Sequence, residues 1–387
     1  MEIPFAKADF GIEERHAVEN VLEGTWLASG PEVEAFEKAF AEHVGADFAV
    51  TCNSGSSANL LALASLGLEE GSKVITSACG FPATLSPILH LGLKPVLVDY
   101  DLHTHNIDIE QAVSMFDNAS AVIFAHTLGN PVDNRLINAA HLKGVAVIED
   151  CCEAVGSKIH GTSVGTFGTL GTYSFYPAHQ ITAEGTGGMV VTSDESMARR
   201  LRSLRDWGKV WDWDTKLGDV KTKYNATVDG VPYHKGYAYE SVGWNFKLSE
   251  TASAFGRVQL GRLDGFAKKR LENYKYLYKN LLTDLIDDER FMFVKPLPTS
   301  EPAWFGFPIT LMQGDRQAFG DYLEANGIRH RPFFAGNITR HEPFRKYAGY
   351  FPIADKLMAD SLFIGIGQWL GKEQLDYIAE VIKAWKG

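Results

Sequence analysis

The chain has 387 residues, enough for two domains, or for one large domain with an appendage. Hydrophobic residues make up 45% and charged residues 22%, the mixture of an ordinary globular protein. A formal net charge of −11 argues against a nucleic-acid surface, although an acidic chain can still hold a phosphate on helix N-terminal amides.

The first residues, MEIPFAKADFGIEERHAVENVLEG, are polar and mixed in charge, unlike a signal or transit peptide, and no apolar run approaches a membrane span. The cytoplasm is therefore the expected compartment. From about residue 12 to about 200, β-rich runs alternate with helical stretches. FAVTC (48–52), KVITS (73–77), KPVLVDY (94–100), SAVIFAH (120–126), GVAVIED (144–150) and GGMVVTS (187–193) are predicted strands. SSANLLALASLGL and PATLSPILHLG are predicted helices between them. This alternation predicts a largely parallel sheet with helices on both faces. Residues 208–245 lose the rhythm and fill with Gly, Asp, Trp and Tyr, which predicts a long ordered excursion. A helical stretch follows from Glu250 to about Leu285. A smaller α+β portion closes the chain on the amphipathic helix KEQLDYIAEVIKAW. The expected division is a large domain over 1–250, then a connecting helix and small C-terminal domain over 251–387. Cys52, Cys79, Cys151 and Cys152 lie in apolar or Gly/Ser surroundings and are expected to be reduced thiols packed as small hydrophobes.

In an α/β sheet the ligand lies at the C-terminal ends of the strands, so the residues just after each strand come first. After FAVTC comes Asn53-Ser54-Gly55-Ser56-Ser57, opening a helix. Small residues there let backbone N–H groups reach a phosphate, but a plain serine cap has the same form. GVAVIED ends on Asp150, with Glu153 three residues on; such a carboxylate pairs with a protonated pyridine nitrogen or caps a helix. Ser174-Phe175-Tyr176-Pro177-Ala178-His179-Gln180 then precedes a glycine-rich turn and the strand GGMVVTS. A lone loop histidine is more often structural than catalytic.

Taken together, these segments resemble the DegT/DnrJ/EryC1/StrS sugar aminotransferase family. The resemblance runs over nearly the whole chain. It includes Trp26-Leu27-Ala28-Ser29-Gly30, the FEKAF helix, Gly80-Phe81-Pro82, His126-Thr127-Leu128-Gly129-Asn130-Pro131, and Arg205-Asp206-Trp207-Gly208. It continues through Gly243-Trp244-Asn245, Phe334 to Arg340, and Gly365-Ile366-Gly367. It implies the aspartate-aminotransferase fold (fold type I), with a large mixed-sheet domain and a smaller C-terminal α+β domain. The implied cofactor is pyridoxal 5′-phosphate or pyridoxamine 5′-phosphate.

The family's transaminases carry a Schiff-base lysine where this chain has His179, and no lysine occurs between Lys158 and Lys209. The histidine resembles the family's 3-dehydratase branch. One type in that branch holds an iron–sulfur cluster on cysteines that follow the R-D-W-G motif. No cysteine follows Gly208 here and a [2Fe–2S] centre needs four thiolates, so the resemblance is to the cluster-free type, with no metal. Two departures stand out: Gln180 replaces a second histidine, and the turn ITAEGTGG is one residue longer than the usual form. The longer turn bears on how the loop presents His179.

The resemblance assigns roles residue by residue. His179 is the catalytic base, near neutrality in pKa and suited to remove a C4′ proton. Gly55, Ser56 and Ser174 take the phosphate, Asp150 pairs with the pyridine nitrogen, Phe81 stacks on the ring and Glu153 lies near its hydroxyl. Asn245 of the partner subunit reaches the phosphate, which implies a homodimer with shared active sites. Trp26, His234, Asn337 and Arg340 are the expected substrate-binding residues. The implied substrate is a nucleotide-linked 4-keto-6-deoxyhexose that loses its 3-hydroxyl, with L-glutamate regenerating pyridoxamine phosphate. The competing readings are an aminotransferase-like enzyme acting on another carbonyl compound, and a non-catalytic sugar-nucleotide-binding relative. Neither a nucleic acid nor a membrane is an expected partner.

Overall fold

In the computed structural model, which describes residues 1–210, 226–285 and 289–387, seven strands form the main sheet. They are β1 (Phe48–Cys52), β2 (Lys73–Ser77), β3 (Lys94–Val98), β4 (Ala121–Ala125), β5 (Ala146–Asp150), β6 (Leu170–Ser174) and β7 (Gly188–Thr192). The spatial order is β1-β7-β6-β5-β4-β2-β3. Strand β7 runs antiparallel to both β1 and β6, and the remaining pairs are parallel. A strand buried on both faces needs near-continuous apolar residues, and AVIF of β4 and MVV of β7 supply them.

β6 was not among the predicted strands. Its sequence, LGTYS, is short and polar, and it follows the turn-forming run GTFGT. Its fit depends on close backbone approach, since a Cβ on Gly171 would stand 2.1 Å from the carbonyl oxygen of Gly165. The helical stretch after Glu250 is two helices, Glu250–Leu260 and Leu263–Leu285, broken at Gly261-Arg262. Part of the predicted ordered excursion, residues 211–225, lies outside the described residues; the rest includes a hairpin, Ala226–Val228 with Val231–Tyr233.

A second, antiparallel sheet joins Phe291–Phe293, Gly306–Leu311, Ser361–Gly365 and His330–Pro332, in that spatial order. Its core includes Trp304, Phe307, Tyr274 and Leu277, and Ile3 from the start of the chain packs into it. No helix among the described residues is long and apolar enough to cross a membrane.

Three buried polar clusters account for several of the recurring motifs. Glu37, from the FEKAF helix, is salt-bridged to Arg205 at 2.6 Å and to Arg202 at 3.1 Å, and accepts from the N–H and hydroxyl of Thr51. Burial by itself opposes the charge on Glu37, but the two guanidiniums overcome it and hold the carboxyl below its usual value. Glu250 takes the N–H groups of Gly30, Glu32 and Val33, and so caps the helix Pro31–Val44 that follows W-L-A-S-G. His126 Nδ1 accepts from Val132 N–H, which assigns its Nε2–H as the donor to Glu149. Glu149 in turn takes the N–H groups of Gly165, Phe167 and Gly168. With its carboxylate engaged on every side, the His126–Glu149–Cys151 cluster is a structural network.

Candidate active site

The C-terminal ends of β1, β5 and β6 open into one cavity of about 870 Å³. Seven of the residues singled out in the sequence line it: Gly55, Ser56, Phe81, Asp150, Glu153, Ser174 and His179.

At its floor, Ser54 caps the helix Gly55–Ser65 by accepting from Ser57 N–H. The N–H groups of Gly55 and Ser56 stand in the first turn of that helix, where an N–H has no intrahelical acceptor and an anion can bind. Gly55 is required by space, because a Cβ there would stand 2.7 Å from both Cys152 Sγ and Ser174 Cβ. Ser174 Oγ accepts from Tyr176 N–H at 3.3 Å, which aims its remaining donor capacity at the same floor.

Asp150, at the end of β5, is 5% exposed. Its Oδ2 accepts from Asn59 Nδ2 (2.8 Å) and Thr84 Oγ1 (2.7 Å), while Oδ1 takes Cys152 N–H at 3.1 Å. Thr172 Oγ1 in turn donates to Asn59 Oδ1. A carboxylate held this firmly, with lone-pair capacity left on Oδ1, suits a cationic N–H donor in the cavity. Sequence reading missed Asn59 and Thr84. The signal was a polar residue on the buried face of an otherwise apolar helix, S-S-A-N-L-L-A-L-A-S.

Glu153 accepts a 2.6 Å hydrogen bond from Leu128 N–H, and Leu128 adopts the left-handed φ of +55° within H-T-L-G-N-P. Burial, with a contribution from the charge on Asp150, pushes the Glu153 carboxyl up to about 8, so it is largely protonated at neutral pH and can donate as well as accept. His179 lines the same cavity. Burial, reinforced by the nearby positive charge of Arg270, lowers its imidazole to about 3, well below the near-neutral value expected from the sequence, which keeps it neutral. Its Nδ1 is buried without a hydrogen-bond partner among the described residues. The Phe305 ring lies 5.1 Å from the imidazole and the Tyr176 ring 6.2 Å away. Phe81 presents 57% of its surface, and its edge meets Phe334 at the rim.

In the turn Ile181–Gly187, Glu184, Gly185 and Gly187 take left-handed φ angles of +56°, +88° and +99°, and Gly185, Thr186 and Gly187 line the same cavity as His179. The turn is anchored to β1 through Thr186 Oγ1 and Gly187 N–H, both donating to the carbonyl of Asn53.

The remaining five residues lie elsewhere in this protomer. Asn337 is fully buried, donating to Asp355 Oδ1 (2.7 Å) and accepting from Thr339; Arg340 is paired with the same Asp355. Trp26 is 42% exposed and donates to the carbonyl of Ser29. His234 caps the turn Lys235–Tyr237, and Asn245 is exposed beside Asp206. Residues not anticipated from the sequence also line the cavity, among them Phe5, Asn59, Cys152, Tyr176, Phe305, Arg331 and Phe334.

A phosphate-sized floor at a helix N-terminus, a fixed carboxylate at the adjacent strand end and an exposed aromatic face define the aminotransferase fold of pyridoxal-phosphate enzymes. Residues 9–383 match the model of the DegT/DnrJ/EryC1/StrS aminotransferase family, and the chain belongs to that family. It is 37% identical over 396 residues to the lipopolysaccharide biosynthesis protein RfbH of Salmonella typhimurium, covering 96% of this chain and 88% of the relative. It is 36% identical over 380 residues to dTDP-4-dehydro-2,6-dideoxy-D-glucose 3-dehydratase of Saccharopolyspora spinosa, covering 92% and 80% of the two chains. Among solved structures it is similar to E. coli GDP-4-keto-6-deoxy-D-mannose-3-dehydratase with bound hydrated PLP. That match has a TM-score of 0.87 at 27% identity, over 98% of this chain and 99% of the other. A mutant of that dehydratase with bound GDP-perosamine matches with the same TM-score and identity.

Proposed function

We propose that this protein is a cluster-free sugar 3-dehydratase, a lyase that removes the 3-hydroxyl of a nucleotide-linked 4-keto-6-deoxyhexose. The observation that carries this reading is His179, a neutral imidazole in the cavity wall of a fold whose transaminases need a lysine there. Pyridoxal 5′-phosphate is the cofactor, and the cavity fits it. The first-turn N–H groups of the helix at Gly55 and Ser56, with Ser174, would hold its phosphate. Asp150 would pair with its ring nitrogen, Phe81 would cover its face and the protonated Glu153 would lie near its hydroxyl. Bound in this way, the cofactor supplies an electron sink through its pyridine ring.

The residues of the chain do the rest. Asp150, fixed by Asn59 and Thr84, keeps the ring nitrogen protonated. His179 moves the proton at C4′, and because an imidazole is not tethered to the cofactor, the cofactor is held by non-covalent contacts alone. A tethered lysine would return that proton to the sugar C4 and complete an amino transfer; histidine leaves loss of the C3 hydroxyl as the outcome. The balance is one L-glutamate consumed, with 2-oxoglutarate, ammonia and a 4-keto-3,6-dideoxy sugar formed. The relatives named as 3-dehydratases support this reading.

A homodimer is part of the proposal. The exposed apolar residues Val231, Tyr233, Tyr237, Tyr239 and Val242, next to Asn245, form a surface that a second copy would cover. Trp26, His234 and Arg340 remain the proposed substrate contacts; Asn337, fully buried, would act only by holding Asp355, the partner of Arg340. The test is incubation of protein, pyridoxal phosphate and glutamate with a panel of 4-keto-6-deoxyhexose nucleotides. Stoichiometric ammonia and a product lighter by one oxygen are expected. An amino sugar, or no turnover with any member, would overturn the assignment.

A further inference from the structure

Gln180 follows His179 in the chain and is only 1% exposed. Its Nε2 donates to two main-chain carbonyls, that of Glu153 at 2.6 Å and that of Ala303 at 2.5 Å. A primary amide has two N–H donors, and both are used. Each acceptor belongs to a segment that builds a wall of the cavity. The carboxyl of Glu153 holds Leu128 N–H, and Leu128 accepts from Phe305 N–H at 2.8 Å. Ala303 N–H donates to Ser157 Oγ, which donates to the carbonyl of Gly129. One amide therefore ties the loop bearing His179 to the backbone of Glu153 and to the segment that carries Phe305, the ring packed 5.1 Å from the imidazole.

The imidazole needs such a tie. Its Nδ1 has no hydrogen-bond partner among the described residues, so its orientation comes from the loop and from packing against Phe305 and Tyr176. The far side of the turn is anchored separately through Thr182, whose hydroxyl donates to the carbonyl of Phe175, and through Thr186 on Asn53. Loss of Gln180 would release the Tyr176–His179 side alone.

We infer that Gln180 is a positioning residue, fixing the imidazole of His179 toward the reacting carbon through the loop without touching substrate; this rests on His179 being the base. Gln180→Leu removes both donors at similar volume, and Gln180→His restores one ring N–H. For each, the cofactor Kd would be measured by absorbance titration, kcat and KM by ammonia release, and the His179 ring by NMR of protein labelled at histidine Cε1. The NMR resonance is assigned by its loss in His179→Asn.

Gln180→Leu should keep the cofactor Kd and sugar KM within about threefold and lose about 10–100-fold in kcat, since a misplacement of about 1 Å can cost about 10²-fold. Its His179 resonance should broaden or split, and Gln180→His should recover part of kcat and sharpen the line. Wild-type kcat with an unchanged resonance would overturn the inference. So would a kcat loss matched by lost cofactor binding with the resonance unmoved, which is the signature of a structural role alone. If Gln180→Leu does not fold, a wild-type kcat and resonance in Gln180→His, with only one donor left, overturns the inference. If the dehydratase reading itself fails, no protein in the series turns over and the NMR arm decides: a perturbed His179 resonance supports positioning and an unchanged one refutes it.

Discussion

Glu153→Gln replaces a carboxyl that is protonated in the fold by an amide of the same shape, whose oxygen can still accept from Leu128 N–H. The ordinary carboxyl value is 4.5 and that of Glu153 is pushed up to about 8. Between these values the folded chain holds a proton that the unfolded chain has lost. The stability tied to Glu153 is therefore fully present below about 4.5 and is lost as pH rises through about 8. A tenfold change in acid constant is worth about 1.4 kcal/mol, which sets a ceiling of about 5 kcal/mol, and water in the cavity screens this to about 1–2 kcal/mol. The assay is urea unfolding of the cofactor-free wild type and variant between pH 5 and pH 9. The variant should gain on the wild type by about 1–2 kcal/mol across that range. Parallel stability curves would refute the reasoning and mean that Glu153 ionises normally in the fold.

Gly55→Ala should weaken cofactor binding at least about tenfold and destabilise the fold by about 1–3 kcal/mol, because the added methyl overpacks against Cys152 and Ser174; absorbance titration and urea midpoints check it. Borohydride treatment of the loaded protein should leave no covalent adduct by mass spectrometry, since no lysine among the described residues lines the cavity. Active protein should need no reductase and contain no stoichiometric iron by metal analysis, as the proposed cluster-free reading requires.

Much of the site was legible because its chemistry is written in local motifs. S-G-S after a strand, a strand ending on Asp150, and S-F-x-P-x-H before a G-G strand each place their residues at one end of one sheet. The fold was legible for similar reasons: six of the seven main-sheet strands are apolar runs bounded by turn residues. Strand β6 escaped because its fit rests on Gly171 approaching Gly165, a tertiary fact with no hydrophobic signature. The break at Gly261-Arg262 escaped because the apolar periodicity continues through it. Asn59 and Thr84 were passed over as ordinary polar residues, and Gln180 was noted only as standing in place of a second histidine. Their importance comes from partners 91, 66 and 123 positions away in sequence, which pattern cannot supply. Asn337 and Arg340 illustrate the reverse case, conspicuous in a motif yet joined here to Asp355 rather than to the cavity.

The most direct test of the central claim is the turnover of His179→Asn in the loaded protein, measured by ammonia release with the cofactor Kd determined in parallel. Asparagine keeps a polar side chain of smaller size but has no basic nitrogen. The expected result is an unchanged cofactor Kd with kcat reduced by about 10²–10⁴-fold, the usual cost of removing a general base. Wild-type turnover in His179→Asn would contradict the account and move the base to another residue.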